Sequence, residues 1–129
     1  MNPAGVGSPR APFTQTTVIP SAGLLFISGL APIDEDRNTI GETIIDQTRA
    51  VYAKLRTALA DRGATFSDLA KITIYLRDPK DIDDFNRVPG EFYEVDEYPA
   101  ATLLAGVRLV DPSWRVEIEE IAALRSDSG

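Results

Sequence analysis

The side chains of this sequence that could do chemistry are carboxylates, and several lie close together in the segment 116–120. The segment reads Val-Glu-Ile-Glu-Glu, an alternation typical of a β-strand with one buried face. Glu117 and Glu119 would point to one side of this strand, and Val116 and Ile118 to the other. Because such a strand buries one face, a carboxylate on it can face a cleft instead of bulk water. We therefore expect a catalytic acid or base, if the protein has one, in this segment.

The absence of two residue types narrows the chemistry further. The 129 residues include no Cys and no His, which excludes disulfides, thiolate nucleophiles, the usual zinc sites and every His-based triad. Proton transfer at neutral pH must then use carboxylates, tyrosines, lysines or bound water.

The charge balance argues against one class of partner. The chain has 20 acidic and 13 basic residues, a net charge of -7, and nucleic-acid phosphates require a basic surface. The apolar runs are strand-sized, so no membrane span is predicted. The first ten residues also lack the apolar core of a secretion signal. We expect a cytoplasmic protein that binds neither nucleic acid nor membrane.

The pattern along the chain predicts one α+β domain over residues 11–125, with a flexible Gly/Pro/Ser-rich arm at 1–10 and a tail at 126–129. Strands are expected at 13–19, 24–28 and 70–76. The segment 98–124, which contains the carboxylates, reads as two further strands joined by a turn at 110–113.

Two helices are predicted between the strands. The first begins after Thr43, carries an apolar stripe up to Leu59, and has Gly63 as its C-cap glycine. The second is expected to begin at Asn86, a good N-cap that places Pro89 in the first turn, where proline is tolerated. Helices that are amphipathic on one stripe should cover one face of a mixed sheet. Copies of the same chain would cover the other face, so we expect a closed homo-oligomer.

Six segments of the chain together resemble a known family. They are residues 26–33, 47–49, 63–76, 84–86, 98–101 and 116–122. In this order and spacing the sequence resembles the RidA family, also called YjgF/YER057c/UK114. The resemblance implies a chorismate-mutase-like α+β fold, assembly as a homotrimer, and small-molecule clefts between subunits. The best-known members hydrolyse reactive enamines and imines, such as 2-aminoacrylate, to keto acids and ammonia, without a metal or cofactor.

One departure from the family concerns the substrate anchor. Imine hydrolysis needs a protonated nitrogen, a water placed on the carbon, and an anchor, usually an arginine that binds the substrate carboxylate. In active members this arginine follows Pro-Ala, and here that position is Ala101. Phe13 similarly stands near the position of a family tyrosine. Arg108 and Arg115 are the nearest arginines in sequence, and either could replace the anchor or form an exposed ion pair.

The resemblance places Glu117 where the family has a glutamate that orients water or shuttles a proton. A salt-bridged strand residue is the structural alternative for it. The other pocket positions that the resemblance implies are Ser28, Gly29, Asn86, Thr102 and Leu103. Ser28 has no base near it in sequence, so we interpret it as a hydrogen-bonding wall rather than a nucleophile. Asn86 could serve as a helix cap as well as a ligand contact.

The resemblance implies an enamine or imine hydrolase, and Ala101 at the anchor position indicates a small reactive metabolite other than 2-aminoacrylate, for example a substrate of the 2-aminomuconate type. The missing anchor leaves a second hypothesis open, a non-catalytic trimer that binds a small metabolite. In both cases the ligand is expected in a cleft between subunits, and no cofactor or metal is expected.

Overall fold

Five strands form one mixed β-sheet in the computed structural model, which describes residues 2–7, 9, 11–94 and 97–125. In chain order the strands are β1 Thr16–Ile19, β2 Leu24–Leu30, β3 Leu69–Leu76, β4 Ala100–Ala105 and β5 Val116–Ala123. The helices are α1 Ile44–Ala60 and α2 Ile82–Phe85. The predicted order of elements and the mixed α+β sheet with two helices are confirmed. The predicted tail at 126–129 lies outside the described residues.

The order of strands across the sheet is β1-β2-β5-β3-β4. β3 runs parallel to β4 and antiparallel to β5, so it separates the two strands of the segment 98–124. The prediction of two strands there is correct, but the simple reading as neighbours joined by a turn is wrong. The local sequence indicates the two strands and the turn residues between them. It does not indicate that β3, from an earlier part of the chain, pairs with both strands and lies between them.

α1 forms where the capping residues predict it. Thr43 Oγ1 accepts a hydrogen bond from the backbone N–H of Asp46 at 3.1 Å. At the other end Gly63 takes a positive φ of 68°, and the N–H groups of Gly63 and Ala64 donate to the carbonyls of the last helical turn. This is the Schellman arrangement that a C-cap glycine allows. The apolar stripe is buried against the sheet.

The second helix lies earlier than predicted. A 3-10 turn at Pro79–Asp81 leads into α2. The side chain of Asp78 caps this 3-10 turn by accepting from the N–H of Lys80 at 3.1 Å. Asn86 ends α2, since its N–H donates to the carbonyl of Ile82 at 3.0 Å. The prediction that Asn86 begins a helix is therefore wrong. An aspartate cap followed by a proline in the first turn is the stronger start signal.

The sheet has one face against α1 and one open face. On β5, Val116, Ile118 and Ala122 are fully buried toward α1. The open face is the opposite one, and it carries the alternate side chains of the strands, among them Lys71, Thr73, Tyr75, Thr102, Glu117 and Glu119. A hydrogen bond of 2.6 Å from Lys71 Nζ to Thr102 Oγ1 joins β3 and β4 on this face.

The described part of the N-terminal arm lies against the domain. Val6 is 5% exposed and belongs to the hydrophobic core. Gln15 holds the arm twice, because its N–H donates to Asn2 Oδ1 at 2.9 Å and its side-chain amide to the Gly7 carbonyl at 3.0 Å. The flexibility of the arm stays a prediction, but these contacts make its residues part of one wall of the domain. Neither α1 nor α2, in the chain as described, has the length or hydropathy to cross a bilayer.

One carboxylate lies in the core itself. Glu120 is 2% exposed and pairs in register with Ile27 of β2 and Ile72 of β3. Neither of its oxygens has a hydrogen-bond partner among the described residues. Burial, with a smaller contribution from the nearby carboxylates of Glu119 and Glu117, raises the pKa of Glu120 well above its ordinary value. The folded chain therefore favours the protonated form.

Replacing Glu120 by Gln is expected to flatten the dependence of stability on pH. A carboxyl whose pKa is raised by folding costs no stability below its unfolded pKa of about 4.3, and its contribution is lost as the pH rises through the folded pKa. Urea unfolding at equal protein concentration should give similar stabilities near pH 4. At higher pH the variant should be more stable, by about 1.4 kcal/mol for each unit by which folding raises the pKa of Glu120, because only the carboxyl gains stability in the unfolded state by losing its proton. Glu94→Gln, at an exposed glutamate that does not act on Glu120, serves as control. Parallel curves for wild type and Glu120→Gln would contradict the expectation.

Candidate active site around Glu117

Glu117 lies beside an irregularity in the neighbouring strand β2. It lies on β5, opposite Tyr75 of β3, and is half-buried. The pairing of β2 with β5 shifts register between Ile27 and Leu30, and the Glu117 side chain lies over Gly29 in this stretch. A Cβ at position 29 would be only 2.2 Å from Glu117 Oε2. Glycine is thus required here by space, because any side chain would displace the carboxylate.

A cavity of about 370 Å³, the Glu117 cavity, opens beside this contact. Its walls are mainly apolar, from Phe13, Leu30, Val110, Trp114 and the N-terminal arm. The charged groups include Glu117, Lys54, Asp34, Glu35 and Arg37. On the open face Glu117 also lines a second space of about 260 Å³, the open-face hollow, with Gly29, Tyr75, Arg108, Leu109, Val110 and Glu119. The carboxylate therefore faces two adjoining spaces that could hold a small molecule.

The surroundings of Glu117 favour proton exchange. Burial raises the pKa of the Glu117 carboxyl, the negative charge of Glu119 raises it further, and the positive charge of Lys54 opposes the shift. A carboxyl with a raised pKa exchanges its proton closer to neutral pH, where general acid–base catalysis is most effective.

Lys54 is the functional candidate that the sequence analysis missed. Its Nζ donates to the carbonyls of Ala31 and Ile33, each at 3.0 Å, which fixes the ammonium beside the Glu117 cavity. Burial lowers the pKa of Lys54, and the carboxylates of Glu120, Asp34 and Glu117 oppose that shift. A signal was present, because position 54 follows Gln47 by seven residues and so lies at the edge of the buried stripe of α1.

Three of the implied site residues meet in the Glu117 cavity, namely Phe13, Gly29 and Glu117. Ser28 lies nearby on the open face, but its hydroxyl donates to the Thr14 carbonyl at 2.6 Å. Ser28 lines a different depression, together with Thr17, Lys71 and other residues. The structure gives it no nucleophilic role.

Asn86 and Ala101 meet elsewhere. They line a space of about 280 Å³, the tyrosine hollow, with Tyr52, Tyr93 and Tyr98. Ala101 pairs with Ile72 of β3, three residues before the partner of Glu117. Three residues of strand rise and two interstrand spacings put Ala101 roughly 14 Å from Glu117. A single chain therefore does not bring this part of the implied pocket to the carboxylate.

Thr102 and Leu103 are divided between the two faces of β4. Thr102 lies on the open face, where it accepts from Lys71. Leu103 pairs with Ile74 and points toward the core. The strand alternation therefore separates these two implied contacts, and neither lines the Glu117 cavity or the open-face hollow.

The two arginines that could replace the anchor have different surroundings. The guanidinium of Arg115 pairs with Asp81 at 3.1 Å and donates to the Glu42 carbonyl at 3.0 Å. Arg108 is exposed and lines the open-face hollow with Glu117. Arg115 is thus committed to structure, whereas Arg108 faces the candidate site.

The described residues contain no group of three or more Asp and Glu side chains placed to hold a metal ion. The two spaces beside Glu117 bring together a carboxylate, an ammonium, a guanidinium and a phenol in partly apolar surroundings.

Comparison with known proteins places the chain in a family. Residues 6–124 match the family model described as Endoribonuclease L-PSP. The chain is 33% identical over 115 residues to a RutC family protein of Pyrococcus horikoshii, with 88% of each chain covered. A solved member of the YjgF protein family from Neisseria meningitidis is 32% identical, with a TM-score of 0.78 and coverage of 89% and 90%. The yeast protein YEO7 shares the fold, with a TM-score of 0.86 at 23% identity and 95% coverage of both chains.

The fold and these matches define a member of one class, the small α+β proteins of the RidA/YjgF family. The chain belongs to this family, as the resemblance of its six segments predicts.

Removing the positive charge of Lys54 is expected to raise the pKa of Glu117 further, because a nearby cation stabilises the carboxylate anion. Lys54→Gln keeps an N–H donor for the carbonyls of residues 31 and 33 but has no charge. The pKa can be followed by NMR titration of the glutamate side-chain carboxyl carbons. Lys80→Gln, at an exposed lysine paired with Asp78, is the control. An unchanged or lower Glu117 pKa in Lys54→Gln would show that the two groups are not coupled.

Proposed function

We propose that this protein is a cofactor-independent enamine/imine hydrolase in which Glu117 positions the attacking water and moves its proton. The observation that carries the proposal is the half-buried Glu117 carboxyl, whose pKa is raised by burial and which lies over Gly29 beside an apolar cavity. Membership of the RidA/YjgF family supports the same reaction class.

The reaction needs only the groups that the chain supplies. The substrate reacts as the protonated imine, in which the nitrogen carries the positive charge. As the water oxygen bonds to the imine carbon, the C=N π electrons move to the nitrogen, and Glu117 takes one proton of the water. The carboxyl then returns that proton to the neutral amino nitrogen, the C–N bond of the resulting ammonium breaks, and ammonia leaves. The remaining hydroxyl loses its proton to solvent and becomes the carbonyl. Apolar walls around the cavity strengthen these electrostatic interactions by limiting the access of bulk water.

We propose further that a second copy of the chain completes the site in a homotrimer. Asn86 and Ala101 lie away from Glu117 within one chain, and β4, which bears Ala101, is an edge strand of the sheet. Exposed apolar side chains near both parts support an interface, with Phe13 48% and Tyr98 58% exposed. A neighbouring β4 edge that closes on the Glu117 cavity would place the ligand between subunits.

The substrate proposed is a small reactive metabolite other than 2-aminoacrylate, since Ala101 offers no charge at the family's anchor position. A larger imine of the 2-aminomuconate type fits better. We place the reaction in the cytoplasm. Although the family model carries the name of an endoribonuclease, we do not propose that activity, because a chain of net charge -7 without His lacks the usual means to bind and cleave RNA. The alternative is a non-catalytic metabolite-binding trimer.

Two substitutions test the role of the carboxylate. Glu117→Gln removes the acid–base group and is expected to lower kcat by about 10²–10⁴. Gly29→Ala displaces the same group without changing it and is expected to lower kcat by about 100-fold. Ammonia release from a panel of imines, including 2-aminomuconate, is the measurement. Gly90→Ala is the control, since its added methyl meets only Tyr98 Oη at 3.6 Å. Ligand binding that survives in Glu117→Gln, with no turnover by wild type on any imine, would favour the binding alternative.

Mixed oligomers test whether Glu117 and position 101 act across subunits. An Ala101→Arg/Glu117→Gln double variant has an arginine at the anchor position but no acid–base group. The wild-type chain has the acid–base group Glu117 but no arginine at position 101. Co-expression should give activity on 2-iminopropionate at least tenfold above either protein alone, because a bidentate arginine–carboxylate contact then forms beside an intact Glu117. The matched control is an Ala123→Arg/Glu117→Gln double variant, because Ala123 lies on β5 and lines none of the three spaces named above. No gain on mixing, or full activity of wild type alone, would contradict the cross-subunit site.

A further inference from the structure

We propose that Arg108 binds a carboxylate of the substrate within the open-face hollow. The chain then acts on an anionic imine whose anchoring arginine lies in the segment after β4 and not on β4 itself. This inference rests on the proposed function, because it names the substrate class of the Glu117 site.

Arg108 and Glu117 line the same space. The open-face hollow of about 260 Å³ is lined by Arg108, Leu109 and Val110 from the segment after β4, and by Gly29 of β2 and Glu117 of β5. In the described part of the chain neither Glu117 nor Glu119 forms an ion pair with Arg108. A small molecule in the hollow would lie against both the guanidinium and the Glu117 carboxylate.

The guanidinium of Arg108 is not used by the fold. Ion pairs engage four other arginines, Arg49, Arg87, Arg115 and Arg125. Arg77 donates to the Pro112 carbonyl, and Arg56 lies 4.9 Å from the ring centroid of Phe92. Arg108 makes no ion pair and no hydrogen bond among the described residues. Its guanidinium is therefore available to a ligand carboxylate, which it can bind with two parallel N–H donors.

The two glutamates of the hollow are not equivalent. The Tyr75 hydroxyl donates to Glu119, which engages that carboxylate on the open face. Glu117 accepts no hydrogen bond from the described residues, and it is the one half-buried over Gly29. The hollow therefore offers one free acid–base group and one free guanidinium.

This arrangement suits a substrate whose carboxylate is separated from its reacting carbon. A guanidinium presents parallel N–H donors to both oxygens of a carboxylate, which orients the ligand as well as holding it. The imine carbon would then lie toward Glu117. An anion approaching Glu117 and Glu119 in this acidic chain needs a local positive charge to offset the repulsion, and Arg108 supplies it inside the hollow.

The test compares an anionic and a neutral ketone of the same size as product analogues. Levulinate, whose carboxylate lies two methylenes from the ketone carbon, and its neutral isostere 5-methylhexan-2-one are titrated by NMR against wild type, Arg108→Ala, Arg108→Lys and Arg62→Ala at constant salt. Arg108→Ala is expected to raise the Kd of levulinate at least tenfold and to leave the Kd of 5-methylhexan-2-one unchanged, because only levulinate loses a charge-assisted contact. Arg108→Lys should recover part of the affinity, because it keeps the charge without the planar fork. Arg62, an exposed arginine outside every cavity named above, is the matched control.

Equal changes for both ketones, or no change for levulinate, would overturn the role of Arg108. Wild type that binds no levulinate at millimolar concentration would overturn it as well. Failure of the proposed function looks different, because wild type would then bind levulinate through Arg108 and still hydrolyse no imine. Conversely, if wild type hydrolyses anionic imines and Arg108→Ala has the same KM for them, the proposed function holds and the proposed role of Arg108 is wrong.

Discussion

The close contact between the Glu117 carboxylate and Gly29 is the constraint on which the candidate site depends. The pairing of β2 with β5 shifts register between Ile27 and Leu30, and in this stretch the Glu117 side chain occupies space that a Cβ at position 29 would enter. The chain that follows β2 supplies the carbonyls that accept from Lys54. The carboxylate, its cavity and the neighbouring cation thus meet beside one local departure from regular strand pairing.

The glutamates of β5 show how the position on a sheet decides the chemistry of one residue type. Glu119 is exposed and accepts from Tyr75, so it behaves as a surface carboxylate. Glu120 faces α1 without a hydrogen-bond partner, and the core favours its protonated form. Glu117 lies between these extremes, half-buried and open to two spaces. An intermediate environment is the useful one for catalysis, because the group must change protonation state without a prohibitive desolvation cost.

The residues that the family resemblance assigns to one pocket lie in two separate spaces of a single chain, and the position of β4 at the edge of the sheet offers a physical explanation. Asn86 and Ala101 share the tyrosine hollow, while Phe13, Gly29 and Glu117 share the Glu117 cavity. An edge strand has unpaired backbone groups that favour association with another chain, and the open face of the sheet carries apolar as well as charged side chains. Completion of the site by a second copy, as proposed, would use both features at once, and Arg108 would add charge from the same chain as Glu117.

Local signals in the sequence determined the elements, and the tertiary structure decided their partners. Caps at Thr43 and Gly63 and the alternation of 116–123 depend on neighbouring residues only, so α1 and β5 were predictable. The family resemblance also singled out Glu117 and Gly29. The start of α2 was misread because two adjacent cap signals, at Asp78 and Asn86, compete within a few residues. The insertion of β3 between β4 and β5, the burial of Glu120, and the approach of Lys54 to Glu117 depend on contacts between distant segments. Local periodicity contains no information about such contacts, because it reports which face of an element is buried and not what it is buried against.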